Sequence, residues 1–277
     1  MDKANFEKVL RDYVRNSPDN YVRKEAALRP DLSGMRIFDE LLMGCASAED
    51  LYFAEAKKPE IIGPHFLGPQ EWLPGAKTVV SVFLPFSEQV REANRRDLSR
   101  PADEWLHARY EGQNFQNKIC GFALDVLKEE GFAAMAPMID TRFKSGNPIV
   151  PDKREQSHYS SNWSERHAAW TAGLGTFGLS KGLITRKGIA GRFISIITSA
   201  VFEPDKRPFT GIYDYCIKCG ACVRNCPVNA ISMDKGKMHS PCSDFLDLTI
   251  EKYKPRYGCG KCQVKVPCED KAPGAPL

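Results

Sequence analysis

The sequence holds no apolar run of the roughly 18 residues that would mark a transmembrane helix. Its longest, from Phe193 to Phe202, is about half a membrane span, so no membrane contact is expected. The opening residues, Met1-Asp2-Lys3-Ala4-Asn5, lack the charged-then-apolar stretch of a secretory signal, which predicts a cytoplasmic chain. No self-similarity of solenoid period and no low-complexity tract is present, which excludes a repeat array. Histidine is scarce, and His65, His107, His158, His167 and His239 are scattered without metal-site spacing. Basic residues form no run interleaved with aromatics, which argues against a nucleic-acid surface.

What the chain does have is cysteine, concentrated in one place. Of ten cysteines in 277 residues, eight lie between Cys216 and Leu277. That segment carries ten Lys/Arg against six Asp/Glu, so the net charge of +4 belongs to it and the preceding residues are neutral. A cytoplasmic chain disfavours a disulfide framework, so these thiols are expected to hold metal. With 42% apolar residues, the remainder is long enough to bury a core of its own.

Periodicity outlines that remainder. Phe6, Val9, Leu10 and Tyr13 have helical spacing, and Leu41 to Met43 reads as part of a second helical segment. The Pro/Gly-rich stretch from Pro59 to Gly75 predicts a loop. Thr78 to Leu84, β-branched and nearly all apolar, predicts a strand buried on both faces. Residues 86–104 are polar, a solvated helix or loop. Trp105 to Glu130 is helical again, with Phe115, Ile119, Phe122, Ala123, Val126 and Leu127 on one face and Gly131 as its cap. Phe132 to Ile139 suits a short strand, and Asp140 to Ser161 a long loop of the kind that carries function. Asn162 fits a helix N-cap with Glu165 three residues on, opening a helix to Ala172. Strands are expected over Gly182 to Thr185 and Arg192 to Phe202, and a linker over Pro204 to Pro208. Together these predict a mixed α+β domain over residues 1–205 and a cysteine module over 206–277.

Cys216, Cys219, Cys222 and Cys226-Pro227 follow C-x2-C-x2-C-x3-C-P. Three thiolates so spaced wrap a tight loop around three corners of a cuboidal cluster, while the fourth cysteine points to a second cluster. Zinc is the rival, but it favours paired C-x2-C units and leaves the fourth cysteine and the proline unexplained. A second cluster needs more thiols, and Cys242, Cys259, Cys262 and Cys268 supply them. If the ends cross over, one cluster takes Cys216, Cys219, Cys222 and Cys268, and the other Cys226, Cys242, Cys259 and Cys262. The spacing from Cys262 to Cys268 is irregular, so one cluster with spare thiols stays open. Cys45 and Cys120 stand apart, Cys120 on an apolar helix face that suits a core. Such a module moves single electrons, and its basic excess offsets the charge of the clusters.

Gly173-Leu174-Gly175-Thr176-Phe177-Gly178 matches G-x-G-x-x-G, yet it follows a predicted helix where a dinucleotide fingerprint requires a strand. The Rossmann reading is rejected, and Gly173 is expected to end the helix.

The residues from Ser164-Glu165-Arg166-His167 through Gly178 to Leu183-Ile184 resemble the core motif of the epoxyqueuosine reductases, cobalamin-dependent iron–sulfur enzymes of queuosine tRNA modification. Leu73 to Val80 is similar to that family's first buried strand. Cys242 with Leu248-Thr249-Ile250-Glu251, and Gly258-Cys259-Gly260-Lys261-Cys262-Gln263, resemble its second cluster half. The resemblance implies a flavin-reductase-like, nitroreductase-type α+β domain holding a corrinoid, with a ferredoxin-like module of two 4Fe-4S clusters beside it. Reductive dehalogenases share that architecture. On this basis Arg166, Gly175, Gly178, Leu183 and Ile184 are expected at the organic cofactor.

Three departures shape the expected chemistry. The family's proton-donating Asp is replaced here by Tyr159, and reductive dehalogenases use a Tyr, so Tyr159 is the candidate acid. With a free pKa of about 10 it needs a cationic neighbour, Arg154, His158 or Arg166. The family's Asp-Tyr-His element reads Asn114-Phe115-Gln116. The C-terminal helical repeats that help grip tRNA are absent, so tRNA is not an expected partner. Glu165 and Arg166 are expected to pair within the fold. The resulting expectation is an oxidoreductase in which electrons from a ferredoxin or flavodoxin pass through two clusters to cobalamin. It would reduce an electrophilic C–O or C–halogen carbon of a small molecule or modified nucleoside. FMN in the same cavity, or an electron-transfer or corrinoid-handling protein without its own substrate, are the alternatives.

Overall fold

The computed structural model describes residues 1–146 and 160–275. In chain order the elements used below are α1 (Lys3–Asn16), β1 (Leu42–Ser47), β2 (Thr78–Pro85), α2 (Glu88–Arg96), α3 (Asp103–Glu129), β3 (Ala134–Met135), α4 (Glu165–Thr171), β4 (Gly175–Phe177), β5 (Leu183–Thr185), β6 (Gly191–Thr198), α5 (Ala221–Arg224) and α6 (His239–Tyr253). β1, β2, β6 and β3 form one antiparallel sheet in that order. β2 is central and every one of its residues is buried, as an apolar, β-branched run requires.

The sheet is covered on both faces. Val80, Val82, Leu84, Ile194 and Ile196 point to one face, where α1 and α3 pack through Phe6, Leu10, Val14, Phe115, Ile119 and Ala123. Those α1 residues recur at i, i+4, i+8, one stripe of the helix, and Asp2 caps its start by accepting from the Asn5 N–H at 2.8 Å. Val79 and Ile197 point to the other face, against Trp72, Trp163, Ala168 and Ala172. α4 therefore lies on the sheet through small side chains. Its next residues, Ala169 and Trp170, turn outward into a third apolar cluster shared with β4, β5 and the cysteine module.

Several elements differ from the sequence reading. Leu42–Ser47 is a strand, not helix: pairing from Leu42↔Phe83 to Ser47↔Thr78 buries a segment whose Leu, Met and Ala carry no strand signal of their own. The strand expected over Phe132 to Ile139 shrinks to Ala134–Met135, because Pro137 opens a 3-10 turn. Ser164, not Asn162, caps α4; the Asn162 amide is spent on the neighbouring loop, donating to Arg142 O at 2.9 Å and accepting from Lys144 N at 2.9 Å. α4 does end at Gly173, left-handed at φ +75°. The segment after it is the hairpin β4–β5 and no helix, so the dinucleotide reading has no structural basis. Among the described residues no helix is long and apolar enough to cross a membrane.

Leu10 is fully buried between α1 and the sheet, whereas Leu51 is 81% exposed. Leu10→Ala is expected to cost about 2–5 kcal/mol and Leu51→Ala less than about 0.5 kcal/mol, read as shifts of the denaturant midpoint.

Candidate iron–sulfur and cofactor site

The cysteine loop begins at Cys216, after an irregular stretch from 201 that ends in a turn over 212–215. Lys218 at φ +50° and Gly220 at φ +71° curl the chain so that Cys216, Cys219 and Cys222 face one small pocket, and α5 carries it onward. Cys268, arriving from the far end of the chain, lines the same pocket. Ile184, Ile189 and Val266 close its apolar wall, with Gly178 at the rim. Burial pushes the Cys268 thiol up to about 12, and the nearby Cys216, Cys222 and Cys219 add to the shift. Burial likewise raises Cys222 to about 11.

Cys226 leaves this group. Burial raises the Cys262 thiol, with Cys242 and Cys226 as contributing neighbours. Cys259 is pushed by burial to about 12, with Cys262 and Cys242 beside it. Cys216, Cys219, Cys222 and Cys268 thus share one pocket, while Cys242 and Cys259 neighbour Cys262, which also lies near Cys226 and Cys222. Among the described residues no three His, Cys, Asp or Glu side chains converge closely enough for a single metal ion. A tetrahedral zinc would need thiolates about 3.8 Å apart, from Zn–S bonds of about 2.3 Å. The all-thiol chemistry and the C-x2-C-x2-C-x3-C-P spacing fit cubane clusters.

Three anchors seat this module on the first domain. The buried Glu269 carboxylate receives Arg95 Nε at 2.9 Å and Arg91 NH1 at 3.4 Å, and also accepts from the Lys265 N–H. The Lys261 ammonium reaches Asn94, whose side chain donates to Cys259 O at 3.0 Å. Gly260 lies on Trp105: a Cβ there would sit 1.9 Å from Trp105 Cζ2, and its φ of +69° also favours glycine. The hairpin completes the contact, as Phe177 N donates to Ile212 O and Tyr215 N to Thr176 Oγ1, both at 2.8 Å.

The residues expected at an organic cofactor separate. Gly178 and Ile184 line the thiol pocket. Leu183 is in the apolar cluster beneath it, and Gly175 lets the hairpin close, since a Cβ would meet Ile184 O at 2.0 Å. Arg166 is exposed and donates to Lys181 O at 2.6 Å. Tyr159, with Arg154 and His158, lies outside the described residues.

Sequence reasoning passed over Glu165. It does not pair with Arg166: its carboxylate turns inward and both oxygens are buried, near the Ser195 hydroxyl and the Trp163 indole but without a partner at full hydrogen-bond geometry. Burial raises its pKa to about 7, opposed by the nearby Ser195 and Trp163 and the Arg192 charge. Trp163 Nε1 is already spent on Ser195 Oγ at 2.8 Å, and Ser81 Oγ, on the strand residue paired with Ser195, also lacks a partner. Among the described residues β3 pairs with β6 only at Ile197 and Thr198, so the edge of β6 beside this polar spot has no strand partner there. Gln116 fills part of that edge, donating to Phe193 O at 3.2 Å and accepting from Arg192 Nε at 3.1 Å. The only available sequence signal was an acid at the start of a predicted helix, which usually means a cap.

The sequence model of the 4Fe-4S binding domain matches residues 210–232. A solved epoxyqueuosine reductase superposes over 96% of this chain and 66% of its own, with TM-score 0.53 and 19% identity. A second, in complex with an epoxyqueuosine-modified tRNA-Tyr stem loop, gives 0.53 and 18% over the same shares. The fold is that of the epoxyqueuosine reductases. A catabolic reductive dehalogenase shares it too, at TM-score 0.51 and 16% identity over 83% of this chain and 30% of that one. This chain spans just under two thirds of the length of the epoxyqueuosine reductases. Among curated proteins none is similar enough in sequence to count as a match.

Two outcomes are expected at this site. Because the folded-state pKa of Glu165 is raised, to about 7 from an ordinary 4.5, the unfolded chain releases this proton first, and stability falls as pH rises through that window. Glu165→Gln should remove the fall and stabilise the chain at pH 8 by up to about 3 kcal/mol, seen as a flattened plot of unfolding midpoint against pH. Glu269→Ala leaves Arg95 without its carboxylate and Arg91 with Asp270 alone, and should cost about 3 kcal/mol in the same assay.

Proposed function

We propose that the chain is an iron–sulfur reductase, with a nitroreductase-like cofactor domain over residues 1–205 and a ferredoxin-like module over 206–277. The observation that carries this is the one pocket shared by Cys216, Cys219, Cys222 and Cys268, which supports a crossing of the eight thiols. Cys268 joins Cys216, Cys219 and Cys222, and Cys226 joins Cys242, Cys259 and Cys262, each four suited to one 4Fe-4S cluster. The clusters would supply one-electron transfer. Their charge is met by the basic module, and their polypeptide ligands are held by the Glu269 and Lys261 anchors.

The organic cofactor is proposed to lie at the open edge of β6, where Glu165, Ser81 and Ser195 present buried polar atoms and Arg192 and Gln116 line the rim. A corrinoid bound there would supply low-valent cobalt as the reductant of an electrophilic C–O or C–halogen carbon; FMN is the second candidate. This chain's own residues supply the proton. Glu165, with its pKa raised by burial to about 7, is partly protonated at neutral pH, and Tyr159 is a second candidate acid. His167 is a poor one: burial lowers its pKa to about 4, so it stays neutral and bonded to Ser164 Oγ at 2.8 Å. A modified nucleoside is the favoured substrate class, supported by the stem loop held in the solved epoxyqueuosine reductase complex. A ferredoxin or flavodoxin in the cytoplasm would supply the electrons.

Chain purified without oxygen is expected to hold about eight iron and eight sulfide per molecule, and Cys222→Ala or Cys262→Ala to lose about half. Titration with cobalamin and with FMN, followed by absorbance, decides the cofactor. Wild-type protein that binds neither would sink the reductase reading and leave an electron carrier.

A further inference from the structure

Lys261 sits between two of the cysteines, Cys259 and Cys262, yet its side chain is only 1% exposed. Its ammonium donates to Asn94 O at 2.9 Å and Asn94 Oδ1 at 2.5 Å, both neutral acceptors. Among the described residues it forms no ion pair, the remote Asp97 contributing only its field. A buried ammonium with neutral partners alone is heavily penalised unless an anion shares its surroundings. Its surroundings hold no carboxylate in contact, but they do hold the Cys259 thiol, next to Cys262, which has Lys237 nearby.

We propose that Lys261 is the built-in countercharge of the cluster held by Cys226, Cys242, Cys259 and Cys262, and that it sets this cluster's potential above that of the other. The proposal rests on the two-cluster reading given above. A thiolate-ligated cubane is anionic and gains one further negative charge on reduction, so a fixed cation in a low-dielectric setting stabilises the reduced form more than the oxidised. Among the described residues the first group of thiols has no buried cation: its pocket is walled by Ile184, Ile189 and Val266, Lys218 is exposed, and so is Arg224, which donates to Cys219 O at 3.3 Å. Two centres of one chemical type thereby acquire different potentials, and the electron has a preferred resting place. Lys261 is a positioning residue in this scheme, acting through charge. Asn94 is its holder, fixed in turn by accepting from Ala102 N at 3.1 Å.

The test is an anaerobic dithionite titration of the full chain, followed by EPR, with iron and sulfide measured on the same samples. Lys261→Met removes the charge at similar length. Asn94→Asp keeps the lysine and sets a carboxylate against it. Each variant should move one midpoint to more negative potential and leave the other in place. If both variants hold the full complement of iron and titrate as the wild type does, the proposal is overturned. A wild-type chain lacking iron and sulfide would instead sink the two-cluster reading beneath it.

Discussion

Apart from α6 the cysteine module has little regular structure to hold it, and the Glu269 carboxylate is what locks its last turn. This residue, 4% exposed, follows Cys268 directly and is gripped by Arg91 and Arg95 of α2. Ile189 N donates to Cys268 O at 2.9 Å on the other side. Between these contacts Cys268 has one place to be, and that place is the pocket of the first three thiols. In the proposed two-cluster arrangement, the return of Cys268 to the first three thiols is therefore held by an ion contact from α2. A loop of small residues, Pro and Gly could not return across the module on local preference alone.

The same economy governs the hairpin. β4 and β5 are too short to be stable alone, and they persist because β4 hydrogen-bonds the module while β5 presents Leu183 and Ile184 to the apolar cluster. On the other side of that cluster runs α4, whose alanines let it approach both the sheet and the hairpin. One short helix thus links the thiol pocket to the buried Glu165 at its own first turn. Motion of the module relative to the sheet would have to break Glu269, Lys261 and Arg256–Glu111 contacts together. Rigid spacing between centres is what electron transfer needs.

Much of this was legible in the sequence because the constraints are local. C-x2-C-x2-C-x3-C-P encodes the first loop in its own spacing, β2 is apolar throughout, and α3 carries its period over seven turns. Gly173 announced the end of α4, and the context of its G-x-G-x-x-G excluded a nucleotide site. What escaped was set by partners distant in the chain. Leu42–Ser47 is a strand only because β2 is there to pair with it. Asn162 had the right chemistry for a cap, but a loop competed for its amide. Gly178, Leu183 and Ile184 came from a motif resemblance that names residues without saying which centre they face; here they pack around the thiols. Glu165 was hidden most deeply, since nothing in a sequence tells an acid that caps a helix from one that turns into the core.

That acid and the thiols divide the problem physically. An electron crosses several ångströms of apolar packing with ease, and a proton does not; it needs a titratable group next to the reacting atom. Ile184, Leu183 and Trp170 form such an apolar barrier between the first thiol pocket and the sheet. The Glu165 carboxylate lies beyond it, among Ser81, Ser195 and Trp163, with no basic partner in contact. Pairing it with Arg166 would have fixed it as a carboxylate at every working pH. Arg166 instead turns outward to Lys181 O, and the carboxyl is left free to keep its proton. In the proposed reductase the two faces of α4 would then deliver the two halves of the reducing equivalent, electrons past Trp170 and the proton from Glu165.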